Sequence, residues 1–302
     1  MAAQMLHTLR ASLGRTVVLM PPYLWMGLFF LLPFGFVLKI SFSEAVIASP
    51  PFAPLLEYDA DEGILNALFR VFNYQYLLED SLYFNAYLGS IKIAAVSTII
   101  CLLIGYPFAL AIARSPRSKQ PLLLVALMLP FWTSLLIRVY AWIGILRQDG
   151  VLNNFLLWAG LIDEPLVLLQ TTFATYVGVV YAYLPFMVLP LYAVLEKQDL
   201  TLLEASRDLG ASPARSFLDV TLPLSWPGIV SGCMLVFIPV IGEFVIPTLL
   251  SGESTLMIGR VLWTEFFNNR DWPVASAVAV IMLVLLIIPI IVFQNQQSKQ
   301  GD

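Results

Sequence analysis

One carboxylate in this chain stands where a carboxylate is expensive. Glu243 lies between Ile241-Gly242 and Phe244-Val245-Ile246, inside a hydrophobic run and bracketed by Pro239 and Pro247. Holding an acid near the centre of a bilayer costs about 2.5–3.5 kcal/mol on insertion scales, so such a group faces protein or a wet cavity and suits a cationic ligand. The two prolines predict a helix that bends or opens here and frees backbone carbonyls for the same ligand. The competing role is a structural glutamate paired with a neighbouring helix. Aromatic faces able to take an ammonium group stand in or beside other hydrophobic runs, at Trp132, Tyr140, Tyr181 and Tyr183. Each of these has helix packing or interface anchoring as its ordinary alternative.

A second constellation is polar. Thr201 and Glu204 have the spacing of a capping box, Gly210 that of a helix stop, and Ser212 followed by Pro213 opens a second short helix that runs to Pro223. So compact a polar loop between hydrophobic runs has a surface to present. Glu204 either offers its carboxylate to a basic partner or completes its own cap, and the two roles are compatible.

Bond-making chemistry has little to stand on. The chain has no Gly-x-x-x-x-Gly-Lys-Ser/Thr phosphate loop, so any nucleotide chemistry that drives transport lies on another polypeptide. No Ser/His or paired-Asp arrangement falls in facing runs, and the single His7 lacks the neighbours that a metal site needs. Cys101 and Cys233 both sit in hydrophobic runs and read as small apolar packing residues, with no redox role. A formal charge of −4 leaves no nucleic-acid footprint.

The elements that position these residues are membrane spans. Of 302 residues, 59% are hydrophobic and 12% charged, about half the charge of a soluble domain. Charge-poor intervals predict spans near 16–38, 93–113, 120–137, 172–195, 224–250 and 273–293, an all-α integral membrane protein with six helices and lipid around it. The first run, marked by Pro33, is too long for a cleaved signal and is read as retained. Gly228-Ile229-Val230-Ser231-Gly232 is a small-residue packing motif, and eleven helical positions on, Glu243 returns to within roughly 20° of that face.

Basic residues fix the orientation. Arg10 and Arg15 precede the first span, and Arg114, Arg117 and Lys119 form the second connection, both without acids, so both termini face the cytoplasm. The first connection, with Glu44, Glu57, Asp59, Asp61, Glu62, Glu79 and Asp80 against Lys39, Arg70 and Lys92, belongs outside. The expected organisation is a cytoplasmic tail 1–15, a transmembrane domain 16–293 with a periplasmic loop 44–88 and a cytoplasmic loop 199–223, and a tail 294–302. Arg138, Arg260 and Arg270 either pair with acids or mark outer helix ends.

The inner loop resembles the signature of the membrane subunits of binding-protein-dependent ABC importers, which is Glu-Ala-Ala, three residues, Gly, nine residues, Ile, one residue, Leu-Pro. Here Glu204-Ala205-Ser206 is followed by Gly210 and then Val220, Leu222 and Pro223; Ser206 and Val220 depart from the pattern by small or β-branched exchanges. Further segments are similar to the polyamine permeases of this family: Leu82-Tyr83-Phe84, Cys101 to Pro107, Ile137 to Trp142, Gly150 to Phe155, Gly242 to Pro247 and Phe267 to Pro273. The resemblance implies a type I ABC importer permease fold, bacterial inner-membrane placement, and heterodimeric pairing with a second homologous permease. It also implies an ATPase subunit dimer holding ATP and Mg, with no cofactor on this chain, and a periplasmic binding protein that delivers polyamine, putrescine or spermidine. It assigns ATPase docking to Glu204, Ala205, Ser206, Asp208 and Gly210, with Glu243, Trp132, Tyr140 and Tyr183 along the substrate pathway. The region from Tyr74 to Tyr87 would meet the binding protein.

Sister systems with the same loop carry ferric iron, sulfate or phosphonate. An ion-coupled secondary carrier is the rival from another class. The absence of an obvious internal repeat, or of buried carboxylates along several spans, argues against it. An intramembrane enzyme ranks last.

Overall fold

The computed structural model describes residues 17–59, 64–67, 70–252 and 255–298. His7, Arg10, Arg15, Asp61 and Glu62 lie outside the described residues, as do the tail 1–15 and positions 299–302. Two compact units divide the chain, Met1–Glu79 with Glu265–Ile281, and Asp80–Thr264 with Met282–Asp302.

In the first unit, α1 spans Val17–Ser41. It opens into a π-helical turn at Gly27–Leu31 just before Pro33, whose ring clashes with the carbonyl four residues back and which has no N–H to give. The connection beyond it holds an antiparallel hairpin, β1 (Leu56–Asp59) with β2 (Ile64–Ala67), a small extended element that hydropathy did not announce. Next comes α2 (Phe72–Glu79), fastened to the end of α1: buried Asn73 donates to the carbonyls of Ser41 at 2.9 Å and Ser43 at 2.8 Å. Ser41 Oγ already donates to Leu38, so the Tyr74 hydroxyl donates to Ser41 Oγ at 2.8 Å. Glu44 pairs with Arg70 at 2.6 Å.

The second unit is built on three helices in mutual contact, α3 (Ser81–Ala113), α7 (Thr172–Leu195) and α10 (Trp226–Ile241). In lipid the apolar surface drives no association, so helices hold where small residues let backbones approach. Gly228 sits against Pro190 and Leu191, and Gly232 against Met187, as the small-residue motif predicts. Gly105 of α3 also meets Met187. Cys101 and Cys233 are free thiols in this core.

The spans differ from the hydropathy intervals at three places. Helix α3 begins at Ser81 rather than near Ile93, because the Asp80 carboxylate accepts from Leu82 N–H at 2.8 Å and caps it. The run 120–137 is not one helix. After α4 (Gln120–Met128) the chain tightens into a 3₁₀ turn, Leu129–Trp132, and becomes extended at Thr133 and Ser134. Pro130 cannot donate to a continuing helix, and its carbonyl is taken by Thr133 Oγ1 at 2.8 Å. From there α5 (Leu135–Leu146) and α6 (Val151–Trp158) leave with a bend of 87°. The run 224–250 is interrupted between α10 and α11 (Val245–Leu250), at the Glu243 position that Pro239 and Pro247 predict. Helix α7 matches its interval at both ends. Counting each bent pair once, the described residues provide up to six spans.

Candidate functional site

The inner loop builds its two helices from local signals. Helix α8 covers Thr201–Asp208, but Thr201 is its first helical residue rather than its cap. The cap is made just before it: the Asp199 carboxylate accepts the Thr201 N–H at 3.0 Å, which holds that carboxyl below its usual range. The expected capping box therefore does not form. Glu204, not needed by its own helix, is exposed, and among the described residues neither it nor Asp208 has an ion pair or side-chain hydrogen bond.

The helix ends as Gly210 predicts. Gly210, at φ +84°, donates to Arg207 O at 2.8 Å, and Ala211 donates to Ser206 O at 3.1 Å, the two bonds of a Schellman stop. Leu209 is thrown outward, 89% exposed. Helix α9 (Pro213–Leu224) starts on Ser212, whose hydroxyl accepts from Arg215 N–H at 3.4 Å. Ser206 meets Ser216 by a hydroxyl–hydroxyl bond of 2.9 Å, so the departure from the family's second alanine carries a bond between the two helices. Glu204, Arg207 and Phe217 line a cavity of about 350 Å³ with Leu110 of α3 and Arg114, which caps that helix.

Two polar links tie this loop to the helical core. Arg114 donates to Gln198 at 3.2 Å, and Gln198 donates to Thr221 O at 3.1 Å. Ser225, at the 64° bend between α9 and α10, uses its proton on Leu222 O at 2.8 Å, so Tyr106 donates to Ser225 Oγ, also at 2.8 Å.

Glu243 is 8% exposed, and the helix is open around it: Gly242, Glu243 and Phe244 separate α10 from α11. Its position follows from this break and not from a helical face shared with Gly232. One carboxylate oxygen accepts from the N–H groups of Val245 (2.9 Å) and Ile246 (3.4 Å), capping α11; the other accepts from the Tyr183 hydroxyl at 2.6 Å. The donors are neutral, and none of the ion pairs among the described residues involves this acid. The backbone of the break is covered by α12 (Ile258–Trp263). A Cβ on Gly259 would collide with the carbonyl oxygen of Gly242 and lie 2.9 Å from that of Glu243. Those two carbonyls are thus packed against protein.

Of the aromatic candidates, Tyr183 reaches Glu243. Trp132 is 75% exposed at the end of its 3₁₀ turn and Tyr140 is 58% exposed on α5. Tyr181 packs edge-on to Trp142, with centroids 5.5 Å apart. Sequence reasoning missed Phe186, 5.9 Å from Tyr183, and Phe131, 5.2 Å from Phe186 with its ring edge-on. Arg138 stands over Phe131 at 5.0 Å. A lone arginine in an apolar stretch was the one available signal. Arg260 donates to Gly252 O, and Arg270, at φ +56°, is exposed.

Residues 117–299 match the family described as binding-protein-dependent transport system inner membrane component. The chain belongs to this family. It is 43% identical over 233 residues to the spermidine/putrescine transport system permease protein PotB of Escherichia coli K12, covering 77% of this chain and 84% of that protein. The PotB of Haemophilus influenzae is 44% identical over 216 residues, 72% of this chain and 76% of its own length. The crystal structure of a bacterial ABC transporter involved in the import of the acidic polysaccharide alginate contains a chain of the same fold. The TM-score is 0.71 at 15% identity, over 98% of this chain and 99% of that one. A type I importer permease fold and a multi-pass inner-membrane setting follow for this family member. Its role is that of a transport permease subunit.

Proposed function

We propose that this permease carries polyamines, putrescine or spermidine, into the cytoplasm by alternating access. It would be driven by an ATPase dimer, paired with a second homologous permease and supplied by a periplasmic binding protein. The carrying observation is Glu243, a buried carboxylate at a helix break with a tyrosine hydroxyl on one oxygen, two backbone N–H groups on the other, and no ion pair among the described residues. An alkyl ammonium supplies the missing charge, and the Phe186 and Tyr183 rings accept its methylene stem. Likeness to permeases named for spermidine and putrescine supports this choice of substrate over ferric iron, sulfate or phosphonate. Trp132 and Tyr140, exposed in the single chain, are assigned to the route where the second permease closes over it.

On the cytoplasmic side, Glu204, Ala205, Asp208 and Gly210 present the docking surface, and Ser206 holds its two helices together. ATP and Mg on the partner supply the energy of the cycle. This chain transmits it through Ser225 into α10 and through Tyr106 into α3. Both termini face inward, and the chain itself binds no cofactor.

The test is uptake of labelled putrescine and spermidine by vesicles holding the complete importer, with the binding protein supplied at the delivery face or withheld. Uptake requires ATP on the loop 199–223 side and binding protein on the other. Uptake by this chain alone, or driven by an ion gradient without ATP, contradicts the proposal.

A further inference from the structure

Arg138 presents a contradiction. A fixed cation in the route of a cationic substrate repels it, yet this guanidinium is partly buried on α5, with Nε and Nη1 shielded and, among the described residues, without a hydrogen-bond acceptor. Its one contact of note is the face of Phe131, 5.0 Å away. Buried guanidinium donors are ordinarily satisfied, so this position is not the only one the side chain was shaped for. A buried carboxylate with no ion pair among the described residues stands at the other end of the same row of rings. Phe131 touches Phe186, Phe186 touches Tyr183, and Tyr183 donates to Glu243. The backbones are neighbours too, because α5 packs against α11, the helix that Glu243 caps.

We infer that Arg138 is a tethered competitor for the substrate: with no polyamine bound, its guanidinium holds the cation seat on Phe131, at the head of the row of rings that leads to Glu243. The entering ammonium takes over the carboxylate and the aromatic row, and the guanidinium withdraws. A cationic side chain of this kind sets a threshold that weakly held cations do not pass and lets bound substrate leave again. It makes Arg138 and Phe131 determinants of specificity. The inference rests on the assignment of Glu243 to the pathway.

The experiment measures KM and kcat for putrescine uptake by the complete importer in proteoliposomes. It compares the unaltered protein with Arg138→Gln, Arg138→Leu, Glu243→Gln and the Arg138→Gln/Glu243→Gln pair. Arg138→Gln is expected to lower KM at least threefold and to lower kcat, since product leaves more slowly. Added methylguanidinium should raise that KM back toward the original value. Arg138→Leu, which removes the charge with a side chain suited to this apolar stretch, should shift KM in the same direction and stands in if Arg138→Gln does not assemble. The double variant should show no KM gain over Glu243→Gln alone, because without the acid at its end the row no longer holds the ammonium that the guanidinium competes with. If Glu243→Gln impairs uptake while Arg138→Gln or, failing assembly, Arg138→Leu leaves KM unchanged, the tethered competitor is overturned and the pathway assignment stands. If Glu243→Gln is silent, both fall.

Discussion

Glutamine at position 243 separates the two roles open to Glu243. Its side-chain carbonyl can still accept from Val245 and Ile246, so the cap of α11 survives, while the charge that would meet an ammonium is gone. A charged hydrogen bond contributes about 1.5–3 kcal/mol, so Glu243→Gln should raise the polyamine KM on the order of tenfold or more with assembly unchanged. Tyr183→Phe removes the single 2.6 Å bond and leaves the charge, so its effect should be the smaller of the two. Equal uptake by Glu243→Gln across substrate concentrations would make the acid a cap and nothing else. That this acid is buried was legible from one charged letter in an apolar run. Its partners were not, because Tyr183 is remote in the chain and reaches it by packing of α7 against the break. Phe131 and Phe186 were invisible for a related reason: among 20 phenylalanines in a lipid-facing chain, a ring that contacts another ring has no distinguishing spacing.

At the scale of elements, glycines fall into those that hold backbones together and those that hold nothing. Gly259 lets α12 lie on the carbonyls of Gly242 and Glu243, and a methyl there would press on backbone, which cannot swing aside. Gly259→Ala should cost about 1–3 kcal/mol and lower the thermal midpoint of the purified importer by a few degrees. A methyl on Gly35 of α1 would meet nothing within 4 Å, so Gly35→Ala should leave that midpoint unchanged or raise it. Reversal of this order would remove the packing account of the break. Long uninterrupted helices could be read from hydropathy, as α7 was, residue for residue. The interruption at Glu243 was marked by Pro239 and Pro247 on either side of it, whereas the one after Pro130 was not placed, because a single proline says only that the ladder is broken nearby. Whether the chain then turns by 87° or resumes depends on what packs beside it. The inner loop shows the same division. Gly210 and the Ser212-Pro213 start were fixed by local chemistry, whereas the start of α8 went to the Asp199 carboxylate, which reaches the Thr201 N–H and leaves Thr201 inside the helix.

For the molecule as a whole, the central claim is a permease moved from one side by a part it does not contain. The loop 199–223 offers exposed Glu204, Asp208 and Leu209 on a frame fixed by Gly210 and the Ser206–Ser216 bond. Tyr106, Ser225, Arg114 and Gln198 fasten that frame to α3 and α10. A rigid handle of this sort is useful only if it is gripped. The most direct measurement reconstitutes the importer with Glu204→Arg and follows, in the same vesicles, ATP hydrolysis and polyamine uptake. The expected result is that uptake stimulated by ATP is lost while the folded permease remains in the membrane. Full uptake by the Glu204→Arg protein, at the unaltered ratio of ATP consumed to polyamine carried, would contradict it.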